Sequence, residues 1–137
     1  MLNVRESAGL GASADEVWAL VSDFVGLIAA LGLPVQGEGE GVGAVRTLSN
    51  PKGDIVERLE ALDNDNRTLT YALVQPGPMP VRDYTSTMTV EADGAGRSVV
   101  VWTADFEADG APDEKATSVV SRTYQGGLAG LQKRFGA

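Results

Sequence analysis

The feature that most constrains the fold is a change in the spacing of apolar residues along the chain. From Val35 to Glu107 apolar and polar residues tend to alternate, which is the period of a half-buried β-strand. Short clusters of Gly, Pro, Asn and Asp interrupt this stretch, so neighbouring strands are expected to pair as antiparallel hairpins. The predicted strands here are Val42–Ser49, Ile55–Leu62, Thr68–Gln75, Tyr84–Ala92 and Ser98–Phe106.

Helical spacing is found on both sides of these strands. After a first strand, Leu2–Leu10, Ser13 and Glu16 form a capping box that predicts a helix from Ala14 to Phe24. Val25–Leu33 is predicted as a short second helix that ends before a proline. A long last helix begins near Pro112 and ends at Gly136. Its predicted apolar face comprises Val119, Val120, Thr123, Gly127, Leu131 and Phe135.

This order of elements predicts an α+β fold for residues 1–137 as a single domain. A curved antiparallel sheet with consecutive strands has one face that needs a cover, and the last helix is the one element long enough to provide it. Two short helices follow the first strand. If the long helix does not fill the concave face, an apolar hollow remains that can hold a small hydrophobic molecule.

Composition excludes several kinds of chemistry. The chain has no Cys and no His, so a disulfide, a catalytic thiolate, a Ser-His-Asp triad and a His-ligated zinc site are all ruled out. The net charge of −8 disfavours nucleic acids and anionic membranes as partners. No segment has the pattern of a signal peptide or of a membrane span, so we expect a cytoplasmic protein that is a monomer or a weak homodimer.

Several segments resemble, in order and spacing, one superfamily. They are Ala14–Trp18, Gly41–Arg46, Ile55–Asp63, Pro80–Tyr84, the pair Trp102 and Phe106, and the pair Gly127 and Leu128. Over nearly the whole chain this is similar to the bacterial polyketide cyclase/dehydrase-like domains of the START and Bet v 1-like (SRPBCC) superfamily. The resemblance implies the helix-grip fold, in which a curved sheet wraps around a long C-terminal helix. It is a poor guide to function, because the superfamily includes binders, cyclases and condensing enzymes.

A more local resemblance concerns the predicted cavity. Glu57-Arg58-Leu59 and Asp83-Tyr84-Thr85-Ser86 are similar to segments of the plant abscisic acid receptors, whose matching Glu, Tyr and Ser face the hormone. The resemblance implies that Glu57, Tyr84 and Ser86 face a cavity. Near the positions of Ala29 and Ala30 many relatives carry Trp, His or Lys, whereas this chain has two alanines. This difference argues against a polar group supplied to the cavity by the second helix.

The alternation of side chains gives an independent reason to single out Glu57. Ile55, Glu57, Leu59 and Ala61 share one strand face, which is apolar apart from one carboxylate. A carboxylate in an apolar cavity is expected to have a raised pKa and to act as a general acid or base. It can equally hydrogen-bond a ligand, or form a structural ion pair with Arg46 on the next strand.

The remaining candidates follow from the same alternation of side chains between the two faces of each strand. Tyr84 can polarise a ligand carbonyl or can be a half-buried strand tyrosine, and Arg46 can meet a ligand carboxylate or pair with Glu57 or Asp83. Glu57, Tyr84 and Arg46 are therefore the predicted catalytic residues. The predicted ligand-binding residues are Leu59, Tyr71, Leu73, Ser86, Met88, Trp102, Ala104, Phe106, Thr123 and Gly127.

Three further motifs are interpreted more simply. The glycines from Gly37 to Gly43 have the spacing of a phosphate-binding loop, but no helix follows whose N-terminus could bind the phosphate. They therefore predict a flexible hairpin. Asp63 and Asp65 lack the spacing of a calcium loop and predict a turn. Pro76–Pro80 is either a lid over the cavity or a plain connection.

The predicted function is binding of a small hydrophobic molecule, polyketide-, lipid- or aromatic-like, with cofactor-free cyclisation or dehydration as the catalytic version. No metal or cofactor is expected. The alternatives are a non-catalytic carrier, a sensor, and a regulatory module that binds a protein partner through an exposed apolar patch.

Overall fold

The sheet is antiparallel and has seven strands in the order β1-β7-β6-β5-β4-β3-β2. The computed structural model describes residues 1–137, and the sheet curves around a long C-terminal helix as predicted. In chain order the elements are β1 Leu2–Leu10, α1 Ala14–Val21, α2 Gly26–Ala30, β2 Val35–Glu38, β3 Val45–Leu48, β4 Ile55–Asp63, β5 Thr68–Gln75, β6 Val81–Ala92, β7 Ser98–Ala108 and α3 Asp113–Phe135.

The two short helices differ in how they begin, since only α1 has a side-chain cap. Ser13 Oγ accepts a hydrogen bond from the Glu16 backbone N–H at 3.2 Å, which is the predicted cap of α1. The prediction that this helix reaches Phe24 is wrong. α1 ends at Val21, and in the turn that follows the Asp23 side chain accepts a hydrogen bond from the N–H of Gly26, the first residue of α2, at 3.0 Å. α2 is also shorter than predicted, ending at Ala30.

A hairpin joins β2 to β3. Val35–Glu38 pairs with Val45–Leu48, and the glycine-rich residues between them form the connection. The expected hairpin is therefore confirmed, whereas a strand beginning at Val42 is wrong. Gly39, Gly41 and Gly43 have positive φ angles, which an extended strand does not use. β2 is therefore a short edge strand next to β3. The alternation of apolar residues alone does not distinguish these two strands.

Two irregularities change which side chains face the helix. In β6 the pairing with β7 shifts between Arg82 and Thr85, where Asp83 has a φ of 52°, and both Val81 and Tyr84 become buried. In β4 the pairing shifts between Leu59 and Ala61. Ala61 is consequently exposed, so the predicted face Ile55-Glu57-Leu59-Ala61 ends at Leu59.

The long helix α3 packs mainly against β1 and β7, and α1 packs against β6 and β7. The predicted apolar face of α3 is partly wrong, since Thr123 is exposed and Val119 is only half-buried. The inner concave surface near β3, β4 and β5 thus receives little cover from α3. No helix is long and apolar enough to cross a bilayer. The buried residues of α3 are Ala116, Val120, Tyr124, Leu128 and Leu131.

Candidate functional site

A cavity of about 360 Å³ lies between α3 and the β3–β5 half of the sheet. The residue after α2, the loop before β6 and the middle of α3 complete its wall, and Leu33, half exposed, lies at its rim. Most of the wall is apolar, with the charged groups on β3, β4 and α3. The lining residues are Ile28, Leu31, Leu33, Arg46, Leu48, Ile55, Glu57, Tyr71, Met79, Tyr84, Trp102, Arg122, Thr123, Tyr124, Gly126, Gly127 and Gly130.

An ion pair forms the polar part of the wall. Arg46 and Glu57 are directly opposite each other on β3 and β4, and the Arg46 Nε donates to Glu57 Oε1 at 2.8 Å. Arg46 Nη1 also donates to the Phe24 carbonyl oxygen at 2.7 Å. The guanidinium carbon lies 4.0 Å from the centre of the Phe24 ring and 4.8 Å from that of Tyr71. The guanidinium is therefore held from several sides and has little freedom to turn.

One polar side-chain atom of each partner has no hydrogen-bond partner in the chain. Arg46 Nη2 and Glu57 Oε2 take part in no hydrogen bond within the chain. The one fully enclosed side-chain nitrogen or oxygen without a partner anywhere in the chain is Ser98 Oγ. Arg46 Nη2 and Glu57 Oε2 are therefore not fully enclosed, and the two residues give the cavity that they line one free donor and one free acceptor.

Ser86 Oγ is the centre of a hydrogen-bond network behind the aromatic wall. It donates to the Thr103 carbonyl oxygen at 2.9 Å and accepts from Trp102 Nε1 at 2.9 Å and from the Tyr124 hydroxyl at 2.8 Å. The Tyr124 hydroxyl is also hydrogen-bonded to that of Tyr84. Trp102 Nε1 makes a second, longer contact of 3.2 Å with the Tyr71 hydroxyl.

The tyrosines of this network all favour their neutral form. Burial raises the pKa of Tyr71, and the negative charge of Glu57 raises it further. Burial also raises the pKa of Tyr84 and of Tyr124, since a phenolate would lose its hydration there. These three are the only tyrosines in the chain. At neutral pH each hydroxyl therefore acts as a hydrogen-bonding group and carries no charge.

A glycine of α3 fixes the position of the indole. The Trp102 and Tyr124 rings stack with their centres 4.2 Å apart and their planes 8° from parallel. A Cβ atom on Gly127 would lie 2.6 Å from Trp102 Cζ3, closer than any side chain tolerates. A Cβ on Gly126 would meet nothing within 4 Å, because that side of the helix faces open space. The two glycines thus have different roles, one in packing and the other in leaving the cavity open.

The structure brings together part of the predicted set. All three predicted catalytic residues line the cavity, and so do four of the predicted ligand-binding residues: Tyr71, Trp102, Thr123 and Gly127. Six others lie outside its wall. Ser86 is enclosed behind Trp102 and Tyr124, and Leu73 lies beyond the wall on β5. The remaining four, Leu59, Met88, Ala104 and Phe106, are buried in the core.

The most important residue that the sequence analysis missed is Tyr124. Ala116, Val120, Tyr124, Leu128 and Leu131 recur every three or four residues, and this spacing would have identified the buried face of α3. Met79 contributes to the wall from the Pro76–Pro80 loop. Arg122, Leu31 and Gly130 had no distinguishing signal, because they reach the cavity only through the relative placement of α2 and α3.

The fold and cavity define a helix-grip protein of the Bet v 1-like (SRPBCC) superfamily. More narrowly, the chain belongs to the polyketide cyclase / dehydrase and lipid transport family, whose pattern matches residues 1–136. The family and its neighbours indicate a fold that binds hydrophobic ligands. No curated protein matches the chain in sequence.

Solved structures support this placement. The chain is similar to the protein XoxI from Bacillus cereus, with 31% identity, a TM-score of 0.87 and coverage of 98% of this chain and 96% of that one. It shares its fold with the Zhui aromatase/cyclase from Streptomyces sp. R1128, at 22% identity, a TM-score of 0.80 and coverage of 97% and 92%. The norcoclaurine synthase from Thalictrum flavum, solved with dopamine and hydroxybenzaldehyde, has 17% identity, a TM-score of 0.75 and coverage of 96% and 84%.

Proposed function

We propose that this protein binds a small, largely apolar molecule of the polyketide or aromatic type in the cavity, with an oxygen atom of the ligand against Arg46 and Glu57. The observation that carries the proposal is the composition of the wall, which is largely apolar and aromatic, with one ion pair and with Arg122 and Thr123 on α3. Apolar surface supplies affinity in such a site and the few polar groups fix the orientation. A volume of about 360 Å³ suits a molecule of one to three rings.

Two matched variants on α3 test whether ligands occupy this space. Thr123 and Ala129 are both exposed on the helix, but only Thr123 lines the cavity. Thr123→Phe places a ring in the open space, whereas Ala129→Phe places it in solvent. Calorimetric titration with α-tetralone, a bicyclic aromatic ketone, is expected to show at least about a tenfold loss of affinity for the first variant and none for the second. Equal affinity in both variants would refute the proposal.

The catalytic version of this function is a second candidate, favoured by the open Oε2 of Glu57 beside the open Nη2 of Arg46. In it, Glu57 takes a proton from the carbon next to a ketone, and Arg46 stabilises the enolate oxygen. The enolate carbon attacks a second carbonyl of the same molecule and forms a carbon–carbon bond, and the new alkoxide is protonated. Loss of that hydroxyl with a neighbouring proton, as water, gives the conjugated ring ketone.

Heptane-2,6-dione distinguishes a catalyst from a protein that only binds its ligand. Ring closure and dehydration of this diketone give 3-methylcyclohex-2-enone, whose formation can be measured. Glu57→Gln keeps the size of the side chain and its contact with Arg46 but removes the base. The catalytic version predicts that this change lowers the rate of enone formation by about a hundredfold or more. Affinity for α-tetralone should change much less. A wild-type rate no faster than that in buffer, with α-tetralone still bound, would identify a carrier.

A further inference from the structure

We propose that Tyr71, and not Tyr84, donates the hydrogen bond that recognises a ligand oxygen in this cavity. The inference rests on the proposed ligand-binding function and names the group that selects the ligand. It follows from counting the protons and lone pairs of the network around Ser86, because each hydroxyl has one proton to donate.

The protons of Ser86, Tyr124 and Tyr84 are all committed. Ser86 gives its proton to the Thr103 carbonyl, and its two lone pairs receive Trp102 and Tyr124. Since Tyr124 donates to Ser86, it is the acceptor in its bond with Tyr84, and Tyr84 is the donor. The chain of donors therefore runs from Tyr84 through Tyr124 and Ser86 to the backbone of β7. Tyr84 can offer a ligand only a lone pair unless this chain is broken.

Tyr71 is the exception among the three tyrosines. The one hydrogen bond of good geometry at its hydroxyl is the bond it accepts from Trp102 Nε1, and this hydroxyl donates to no atom of the chain at such geometry. Its neighbouring hydroxyls are those of Ser86, whose two lone pairs are occupied, and of Tyr124, which already donates to Ser86 and accepts from Tyr84. Tyr71 is 2% exposed, and a buried hydroxyl with an unused proton is costly unless a ligand or a water accepts it.

The hydroxyl of Tyr71 is also the one that the fold needs least. Trp102 Nε1 has its shorter bond, of 2.9 Å, with Ser86 and a contact of 3.2 Å with Tyr71. Removing the Tyr71 hydroxyl leaves the indole with its better partner. Removing that of Tyr124 leaves Tyr84 without an acceptor and Ser86 without one of its donors. The fold therefore gives a reason for the hydroxyl of Tyr124 but not for that of Tyr71.

The position of Tyr71 indicates the chemistry of the ligand. Its ring lies against the Arg46 guanidinium, 4.8 Å from the guanidinium carbon, and both residues line the same wall. A single ligand oxygen between them would receive the Tyr71 proton and face the open Nη2 of Arg46. Ketones, enolates and phenolates have such an acceptor oxygen. Hydrocarbons of the same shape lack it and leave both donors unused.

The binding test compares α-tetralone with tetralin, which has the same rings without the carbonyl. The quantity measured is the ratio of the two affinities in the wild type, in Tyr71→Phe and in Tyr84→Phe. The ratio is expected to fall by about five- to tenfold in Tyr71→Phe and to stay within about twofold in Tyr84→Phe. The carbonyl stretch of bound α-tetralone should also move to higher frequency only in Tyr71→Phe, and a merely structural role would not produce that change.

Thermal unfolding supplies a readout that needs no ligand. Tyr71→Phe is expected to keep the wild-type Tm, whereas Tyr124→Phe lowers it by roughly 4 °C or more. An equal loss of Tm in both variants would overturn the inference, as would an affinity ratio that falls in Tyr84→Phe and not in Tyr71→Phe. If the wild type binds both compounds but the ratio is unchanged in Tyr71→Phe, only the assignment of Tyr71 is wrong. If it binds neither, the proposed function is wrong as well.

Discussion

Replacing Gly127 by Ala tests how tightly the long helix is packed against the aromatic wall. The new Cβ would lie 2.6 Å from Trp102 Cζ3 and 3.2 Å from Cη2, whereas carbon atoms prefer a separation of about 3.5–4.0 Å. The indole would have to move by about 1 Å. It cannot do so freely, because it is stacked on Tyr124 and hydrogen-bonded to Ser86.

The expected magnitude is the balance of two effects. Overpacking of this kind costs about 1–3 kcal/mol, while Ala in place of Gly within a helix contributes about 1 kcal/mol of stability. Gly126→Ala has the second effect without the first, since its Cβ meets nothing. The Gly127→Ala variant should therefore be less stable than the Gly126→Ala variant by about 1–3 kcal/mol, which corresponds to roughly 4 °C in Tm for each kcal/mol.

Thermal and urea unfolding, followed by far-UV circular dichroism, measure this difference. The near-UV signal of the indole should change in Gly127→Ala and be preserved in Gly126→Ala, because only the first disturbs the stacked pair. If the two variants have the same Tm, or if Gly127→Ala is the more stable, then the helix does not press on Trp102 as described.

Three other perturbations have expected outcomes. Arg46→Met should destabilise the protein by about 3–5 kcal/mol in urea unfolding, because Glu57 is left charged without its partner, and the double variant Arg46→Met with Glu57→Gln should recover part of this loss. Ser86→Ala should cost about 1–3 kcal/mol, since Trp102 and Tyr124 lose their acceptor; an unchanged stability would show that water replaces it. Burial raises the pKa of all three tyrosines above the ordinary value near 10, so the stability that comes from their neutral form is fully present below about pH 10 and is lost as the pH rises further. Ultraviolet absorption should therefore show tyrosinate only together with unfolding, and a separate titration near pH 10 in the folded protein would contradict the burial of these residues.

The fold could be predicted largely because its signals are local. Alternation, turn residues and the Ser13 cap each depend on residues close together in the chain, and β4, β5 and β7 begin where the pattern indicates. Errors occur where a local rule is overridden. The Asp23 side chain accepts a hydrogen bond in the turn that separates α1 from α2, and the shift in pairing near Asp83 adds a residue that no alternation can show.

The candidate site was less predictable than the fold. Glu57 and Arg46 could be paired from their strand positions, and they lie directly opposite each other, as the ion-pair interpretation requires. The role of Tyr124 depends on which side of α3 faces the sheet. It also depends on how closely α3 approaches Trp102, which Gly127 permits because it has no side chain. The hydroxyl that is free to donate a hydrogen bond can be identified only from the whole network. Its identification requires the position of every donor and acceptor.

The order of the strands also has a consequence for how this chain reaches its native state. Every strand pairs with its neighbour in sequence except β1, which pairs with β7, so that Leu2 lies opposite Phe106, about a hundred residues away. Such distant pairing is slow to form, because the chain must first close a very large loop. During synthesis β1 is made before β7, so it has no partner until about a hundred further residues have been made. β1 must therefore stay unpaired while the strands between it and β7 are made, and it then completes one edge of the sheet.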